Sequence, residues 1–223
     1  MAAIESGHFI FRIKQTGNIK KYPAKMMEAP MQTTPQDILH FWFVESTPKM
    51  WFQGGKTYDQ TIRERFGAAC EAAARGECEE WRSTMKGRLA EIIVLDQFSR
   101  NIWRDTPRAF SQDGMALVLA QEAIKLPEYQ TLSTMEKKFV IMPFMHSESR
   151  CIHEKALVLF TELGDPATLE HEIQHKGMID RFGRYPTRNK TLGRSSSEEE
   201  IAFCKNLTQM LEDFISQAQE SPD

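Results

Sequence analysis

Three dipeptides constrain this chain most: Thr34-Pro35, Thr106-Pro107 and Asp165-Pro166. Each places a side-chain acceptor where an N-cap belongs and a proline at the first helical position, where a backbone N–H would lack an intrahelical partner anyway. Each predicts a helix beginning at the proline. Ser133 with Glu136, and Ser195 to Ser197 ahead of Glu198 to Glu200, have capping-box spacing and predict two further starts. Gly76, Gly164 and Gly183 each follow a periodic run and predict helix ends.

Between these marks apolar residues recur at helical spacing. Ala156, Leu159, Phe160 and Leu163 fall at i, i+3, i+4 and i+7, and Phe203, Leu207, Leu211 and Phe214 trace another stripe. The pattern predicts helices over 35–44, 57–75, 86–100, 107–125, 134–142, 147–163, 166–182 and 197–217. No stretch alternates like a strand with hairpin turn chemistry. The expectation is an all-α chain of seven or eight helices whose short links make neighbours antiparallel, in a bundle or a stack of helix pairs. Leu89 to Leu95 is nearly continuous apolar surface, which predicts a central helix, and Asp96 follows directly. A buried carboxylate is costly alone, so an arginine or a run of backbone donors is expected to reach Asp96 as a structural ion pair.

The 223 residues, 41% of them apolar, suffice for one core, and no composition break divides them. The expected organisation is a single helical domain over 34–218, an N-terminal arm over 1–33 and a disordered tail over 219–223. The first thirty residues carry Arg12, Lys14, Lys20, Lys21 and Lys25 against Glu5 and Glu28. A flexible arm, an organellar presequence and a true start at Met26, Met27 or Met31 are the readings open to them. A net charge of −3 argues against a nucleic-acid partner, and no apolar run approaches a membrane span. Cys70, Cys78, Cys151 and Cys204 form no C-x-x-C pair and are too few for a disulfide framework, so a cytoplasmic protein is expected. No cofactor is implied.

Polar chemistry concentrates between Arg181 and Arg194, which hold five cations and no acid. A Gly-punctuated loop can turn guanidinium forks and backbone N–H groups toward one small anion, and the Ser-capped helix that follows adds its positive end. The same arginines can equally clamp Asp96, Glu148 or helix C-terminal carbonyls and pin the last helix. His146, Ser147, Glu148 and Arg150 form a second cluster. A histidine beside a glutamate suits general acid/base work, while Ser147 is placed to cap a helix. Arg100, Asn101, Arg104 and Arg108 supply further donors, and Trp42, Trp51, Trp81 and Trp103 read as packing residues. A third pattern, His171-Glu172-Ile173-Gln174-His175, matches H-E-x-x-H on a predicted helix, where two histidines one turn apart could hold zinc while Glu172 activates water. No sheet and no fixed third ligand support it.

Taken together these stretches resemble a bacterial family known as domain of unknown function 924. The residues that carry the likeness include Ile38 to Phe43, Ile62 to Phe66, Leu95 to Asn101, Pro143 to Glu148, Arg181 to Pro186, Arg188-Asn189 and Leu192 to Arg194. The resemblance implies a tetratricopeptide-like fold of antiparallel helix pairs, without an established activity. It also implies that His146, Glu148, His175, Arg184, Arg188, Asn189 and Arg194 sit at motif positions and His171 does not. The chain departs from the pattern at Ser99, where proline is usual, at His153, where glutamine is, and at Thr187, where histidine is.

The leading expectation is that His146, Glu148 and His175 act as acid/base groups beside Arg100, Asn101, Arg184, Arg188, Asn189 and Arg194, which bind a small phosphate- or carboxylate-bearing ligand. A non-catalytic, tetratricopeptide-like protein-interaction module is the competing class, and a zinc-dependent hydrolase at His171 and His175 is the third.

Overall fold

The caps at Thr34 and Asp165 close on the backbone as their spacing requires. The Asp37 amide reaches Thr34 Oγ1 at 3.3 Å while the Thr34 amide donates to Asp37 at 2.8 Å, and the Thr168 amide reaches Asp165 Oδ1 at 3.5 Å. The computed structural model describes residues 33–220, and the side chains of all of these but 52, 53 and 211–220. The arm and the tail lie outside the described residues except at their inner ends.

Helix α1 (Pro35–His40) passes into a π-helical turn (Phe41–Glu45). Then come α2 (Pro48–Gln53), α3 (Gly55–Ala74) and α4 (Met85–Ile93). A second π-helical turn (Val94–Phe98) carries α4 into the short α5 (Ser99–Ile102). After these follow α6 (Asp113–Ala123), α7 (Thr134–Met145), α8 (Arg150–Leu163), α9 (Pro166–Phe182) and α10 (Glu198–Glu220). Among the described residues there is no strand, and no helix is long and apolar enough to cross a membrane.

The core gathers on α4. Every residue from Leu89 to Leu95 is fully buried, including Glu91, which a two-pronged bond from Arg82 at 2.7 Å satisfies. Helices α1, α6 and α7 pack on α4, and α3 packs on α5. Trp42 meets Phe98 and Phe139 edge-on at 5.5 and 5.4 Å, arrangements that suit the ring quadrupoles. Consecutive helices α7, α8 and α9 pack pairwise across short links. Gly164 and Gly183 end α8 and α9 in left-handed backbone, at φ 72° and 70°.

Several boundaries differ from expectation and α2 lies where no helix was expected; three of the differences have a local reason. Thr106 does not cap a long helix: its hydroxyl donates to the Trp103 carbonyl at 2.7 Å, Pro107–Phe110 makes one 3-10 turn, and α6 starts only at Asp113. Helix α7 runs through Pro143 to Met145 although the ring removes one intrahelical bond, and the burial of Phe144 and Met145 holds the last turn in place. Helix α8 begins at Arg150 rather than at 147, and Ser147 caps nothing; residues 146–149 form a separate turn that builds the site.

Candidate functional site

The π-helical turn places Asp96 deep against the end of α7. An extra residue per turn widens the helix locally and re-aims its side chains, a geometry concentrated at functional positions. Asp96 is fully buried, and His146 Nδ1 lies 2.7 Å from its Oδ1. Gln97 donates to the second oxygen at 2.5 Å, and Arg100, one turn on, stands 3.2 Å away. Burial alone would raise the Asp96 pKa, but His146, Arg100 and Gln97 outweigh it and hold the group ionised. His146 is pushed the other way: burial, with the Arg100 charge, depresses its pKa below the ordinary 6.5 despite Asp96. The pair at neutral pH is therefore carboxylate and neutral imidazole, so Nδ1 carries the proton toward Asp96 and Nε2 carries a lone pair. Nε2 has no hydrogen-bond partner among the described residues.

The charges continue outward from Asp96. Arg100 also pairs with Asp113 at 3.0 Å, and Asp113 pairs with Arg188 at 3.1 Å. Arg188 closes the circuit by donating to the His146 carbonyl at 3.0 Å, its guanidinium lying over Phe110 and Tyr185 at 4.6 and 4.5 Å. The turn after α7 is held with unusual completeness. Its carbonyls at Met145, His146 and Ser147 accept from the Tyr185 hydroxyl, Arg188 and His153 Nε2 respectively, at 2.5, 3.0 and 2.8 Å. Helix C-terminal carbonyls lack intrahelical donors, so these three side chains supply what the helix cannot. Glu148, next along, accepts two bonds from Arg194 at 2.6 and 2.9 Å and one from the Tyr185 amide at 2.7 Å. Burial works against its ionised form, yet Arg194 and the amide hold its pKa below the usual range.

A cavity of about 310 Å³ opens over this turn. His146, Ser147, Glu148, Arg188 and Asp113 form its polar side; Pro107, Phe110, Leu117 and Leu192 form an apolar wall, and Gly114 opens the first turn of α6. A Cβ built on Gly114 meets nothing within 4 Å. The residues singled out from sequence divide accordingly. His146, Glu148 and Arg188 line the cavity; Asp96 and Arg100 stand behind it. Asn101 is elsewhere, donating to Asp59 at 2.8 Å. Arg184 is occupied by Glu200 at 2.7 Å, and Arg194 also bonds Asn189, whose amide reaches Ser196 at 3.0 Å. These contacts fasten α10 to the 186–188 turn. His175 meets the edge of Tyr185 at 5.6 Å, its Nδ1 donates to the His171 carbonyl at 2.7 Å, and it does not line the cavity.

The H-E-x-x-H pattern does not form a zinc centre. His171 faces solvent, while Glu172, which would have to activate water, is fully buried 2.8 Å from His153 Nδ1. No three metal-ligating side chains converge among the described residues. Sequence reasoning gave no role to Asp113, Tyr185 or His153. The Asp113-Gly114 dipeptide inside a supposed helix interior was the available sign of a break there. Thr187, where histidine is usual, lines a groove beside α10 with Lys190 and Leu207 rather than the His146 cavity.

The matches to known proteins agree with this architecture. The model of a family described as a bacterial protein of unknown function, DUF924, matches residues 38–207. The chain belongs to this family. The solved structure of a protein of unknown function from Agrobacterium tumefaciens is similar at 33% identity and a TM-score of 0.73, over 77% of this chain and 97% of that one. Among curated proteins there is no match. The DUF924 match spans Asp96, His146 and Arg188 alike, so the whole site lies within the family region.

Proposed function

We propose that the cavity binds a small carboxylate-bearing molecule with an apolar body, and that His146 Nε2 exchanges a proton with it. The observation that carries this reading is the Asp96-backed imidazole of His146, a residue of the cavity lining, whose second nitrogen has no hydrogen-bond partner among the described residues. Its carboxylate partner fixes the tautomer, and its depressed pKa keeps the accepting form present at neutral pH, which are the properties of a general base.

Charge decides between a carboxylate and a phosphate. Arg188 faces Asp113 and Arg194 faces Glu148, so neither offers an unopposed positive charge to a dianion. A carboxylate that binds while His146 takes up one proton from water leaves the site neutral overall, because imidazolium and carboxylate appear together. The walls formed by Phe110, Leu117 and Leu192 favour a short apolar body. The reading covers binding and proton transfer, and names no net reaction.

Histidine-labelled protein titrated with butyrate, hexanoate and inorganic phosphate tests it by nitrogen NMR. The expected result is a saturable shift of the His146 ring signals with the carboxylates, and its loss in Gly114→Leu, which fills the cavity. Unchanged ring signals with every carboxylate, or a full response in Gly114→Leu, would overturn the reading.

A further inference from the structure

A second cavity, of about 300 Å³, shares no lining residue with the first and lies between α3 and the end of α5. Its floor is Asp59, only 7% exposed. Arg104 grips both Asp59 oxygens, at 2.5 and 2.8 Å, and Asn101 adds a bond at 2.8 Å. Burial opposes ionisation of Asp59, but Arg104 and Asn101 prevail and lower its pKa. The floor is thus a neutral, fully bonded unit.

Above it the balance differs from that around His146. Lys56 and Arg63 also line the cavity, and neither has a carboxylate partner among the described residues. Arg63 gives one nitrogen to the Ile102 carbonyl and keeps the rest of its fork. Lys56 stands in the first turn of α3, which contains no acidic residue, so the helix field there opposes its charge. Asp105 counters the two from the rim, and Asp59 acts on Arg63 from the floor while bonded to Arg104. Asp105 is the one non-glycine residue with positive φ among those described, at 61°, a conformation that costs energy wherever it persists.

We propose that this cavity is a binding site for a phosphate group, held by Lys56, Arg63 and the outer edge of Arg104. Two cations without a carboxylate within ion-pair distance, set against Asp105 over a neutral floor, leave one positive charge in surplus, and a guanidinium fork beside an ammonium suits an oxyanion with several acceptor atoms. The volume exceeds what inorganic phosphate needs, so the site also admits a small organic phosphate. The proposal is independent of the His146 reading.

Phosphorus NMR of the full chain with inorganic phosphate and, separately, phenyl phosphate tests it. Saturable line broadening is expected with both. Tighter binding of phenyl phosphate would identify an organic phosphate as the fitting source, and equal binding the free ion. Lys56→Ala, at an exposed residue without a partner among those described, is expected to weaken binding roughly tenfold, the loss of one charge-assisted contact, and Arg63→Gln at least as much. Gly114→Leu, which fills the other cavity, should leave it unchanged. No saturable binding by the unaltered chain, wild-type binding by both Lys56→Ala and Arg63→Gln, or loss of binding in Gly114→Leu would each overturn the proposal.

Discussion

The junction from Arg181 to Arg194 and the turn from His146 to Glu148 are the two stretches richest in polar chemistry, and they use it differently. At the junction most of the cations end on the chain itself: Arg181 on Glu199, Arg184 on Glu200, Arg194 on Glu148 and Asn189. At the turn, Asp96, Arg100, Asp113 and Arg188 also cancel one another, but a single imidazole nitrogen is left over at a cavity. Density of charge marks the seam that fastens α10, whereas on the proposed reading the vacant lone pair marks the place where chemistry is available. Four expected outcomes test that contrast, the first two in stability and the others in what the imidazole does.

The largest effect belongs to Asp96, on which both networks behind the turn depend. Asp96→Ala leaves Arg100 without its buried partner and His146 without its orienting acceptor. Removing one member of a buried charged set costs about 4 kcal/mol, and urea unfolding should show a loss of that size. A loss below about 1 kcal/mol would mean that Arg100 and His146 are satisfied by other groups. The second effect separates the junction's own members. Arg194→Ala strips Glu148 of a two-pronged, three-quarters-buried partner and should cost about 2 kcal/mol. Arg181→Ala removes an exposed pair and should stay within about 0.5 kcal/mol. Equal costs would remove the distinction between seam and surface.

Much of this architecture was legible before any coordinate. Side-chain acceptors followed by proline, capping boxes and glycine stops gave the helix starts and ends because these signals act locally. Thr106 failed because its hydroxyl was drawn back to the Trp103 carbonyl, a competition no spacing rule resolves. The burial of Asp96 was legible from the apolar run before it; its π-helical setting was not, since one inserted residue leaves no periodic trace over five positions. The site was read only in part. His146, Glu148 and Arg188 stood out by residue type, but which arginines are free depends on contacts such as Arg184 to Glu200, which is local in neither sequence nor helix. Asp113 went unread because the helix expected over 107–125 ran straight through it, whereas α6 starts only there. The H-E-x-x-H pattern misled for the complementary reason: its spacing is right, but the helix turns Glu172 inward to His153.

The imidazole itself gives the third outcome. His146 and His175 both have pKa values depressed below 6.5, chiefly by burial. The unfolded chain binds those protons first, so the stability they allow is present above pH 6.5. It falls as pH drops below 6.5 toward the folded values, at up to about 1.4 kcal/mol per pH unit for each group. His146→Asn, which keeps a donor for Asp96 but cannot titrate, should remove one group's share of that slope. An unchanged slope would show that His146 is solvated enough to protonate normally, and the general-base reading would go with it.

The smallest effect on stability is the most discriminating on function. Gly114 lies in the first turn of α6 without positive φ, lines the cavity, and a Cβ there meets nothing within 4 Å. Replacing glycine in a helix favours folding by about 0.5 kcal/mol or slightly more, so Gly114→Leu should unfold no earlier than the natural chain. The same leucine occupies the space beside Asp113 and Leu117 that a carboxylate ligand would need. The expected result is therefore a chain of equal or slightly higher stability whose His146 signals titrate normally with pH yet no longer respond to butyrate. Loss of both the pH response and the ligand response would mean that the leucine had disturbed the Asp96–His146 pair. Retention of both would move the binding event away from this cavity, and the leftover lone pair would then mark a packing detail like those of the junction.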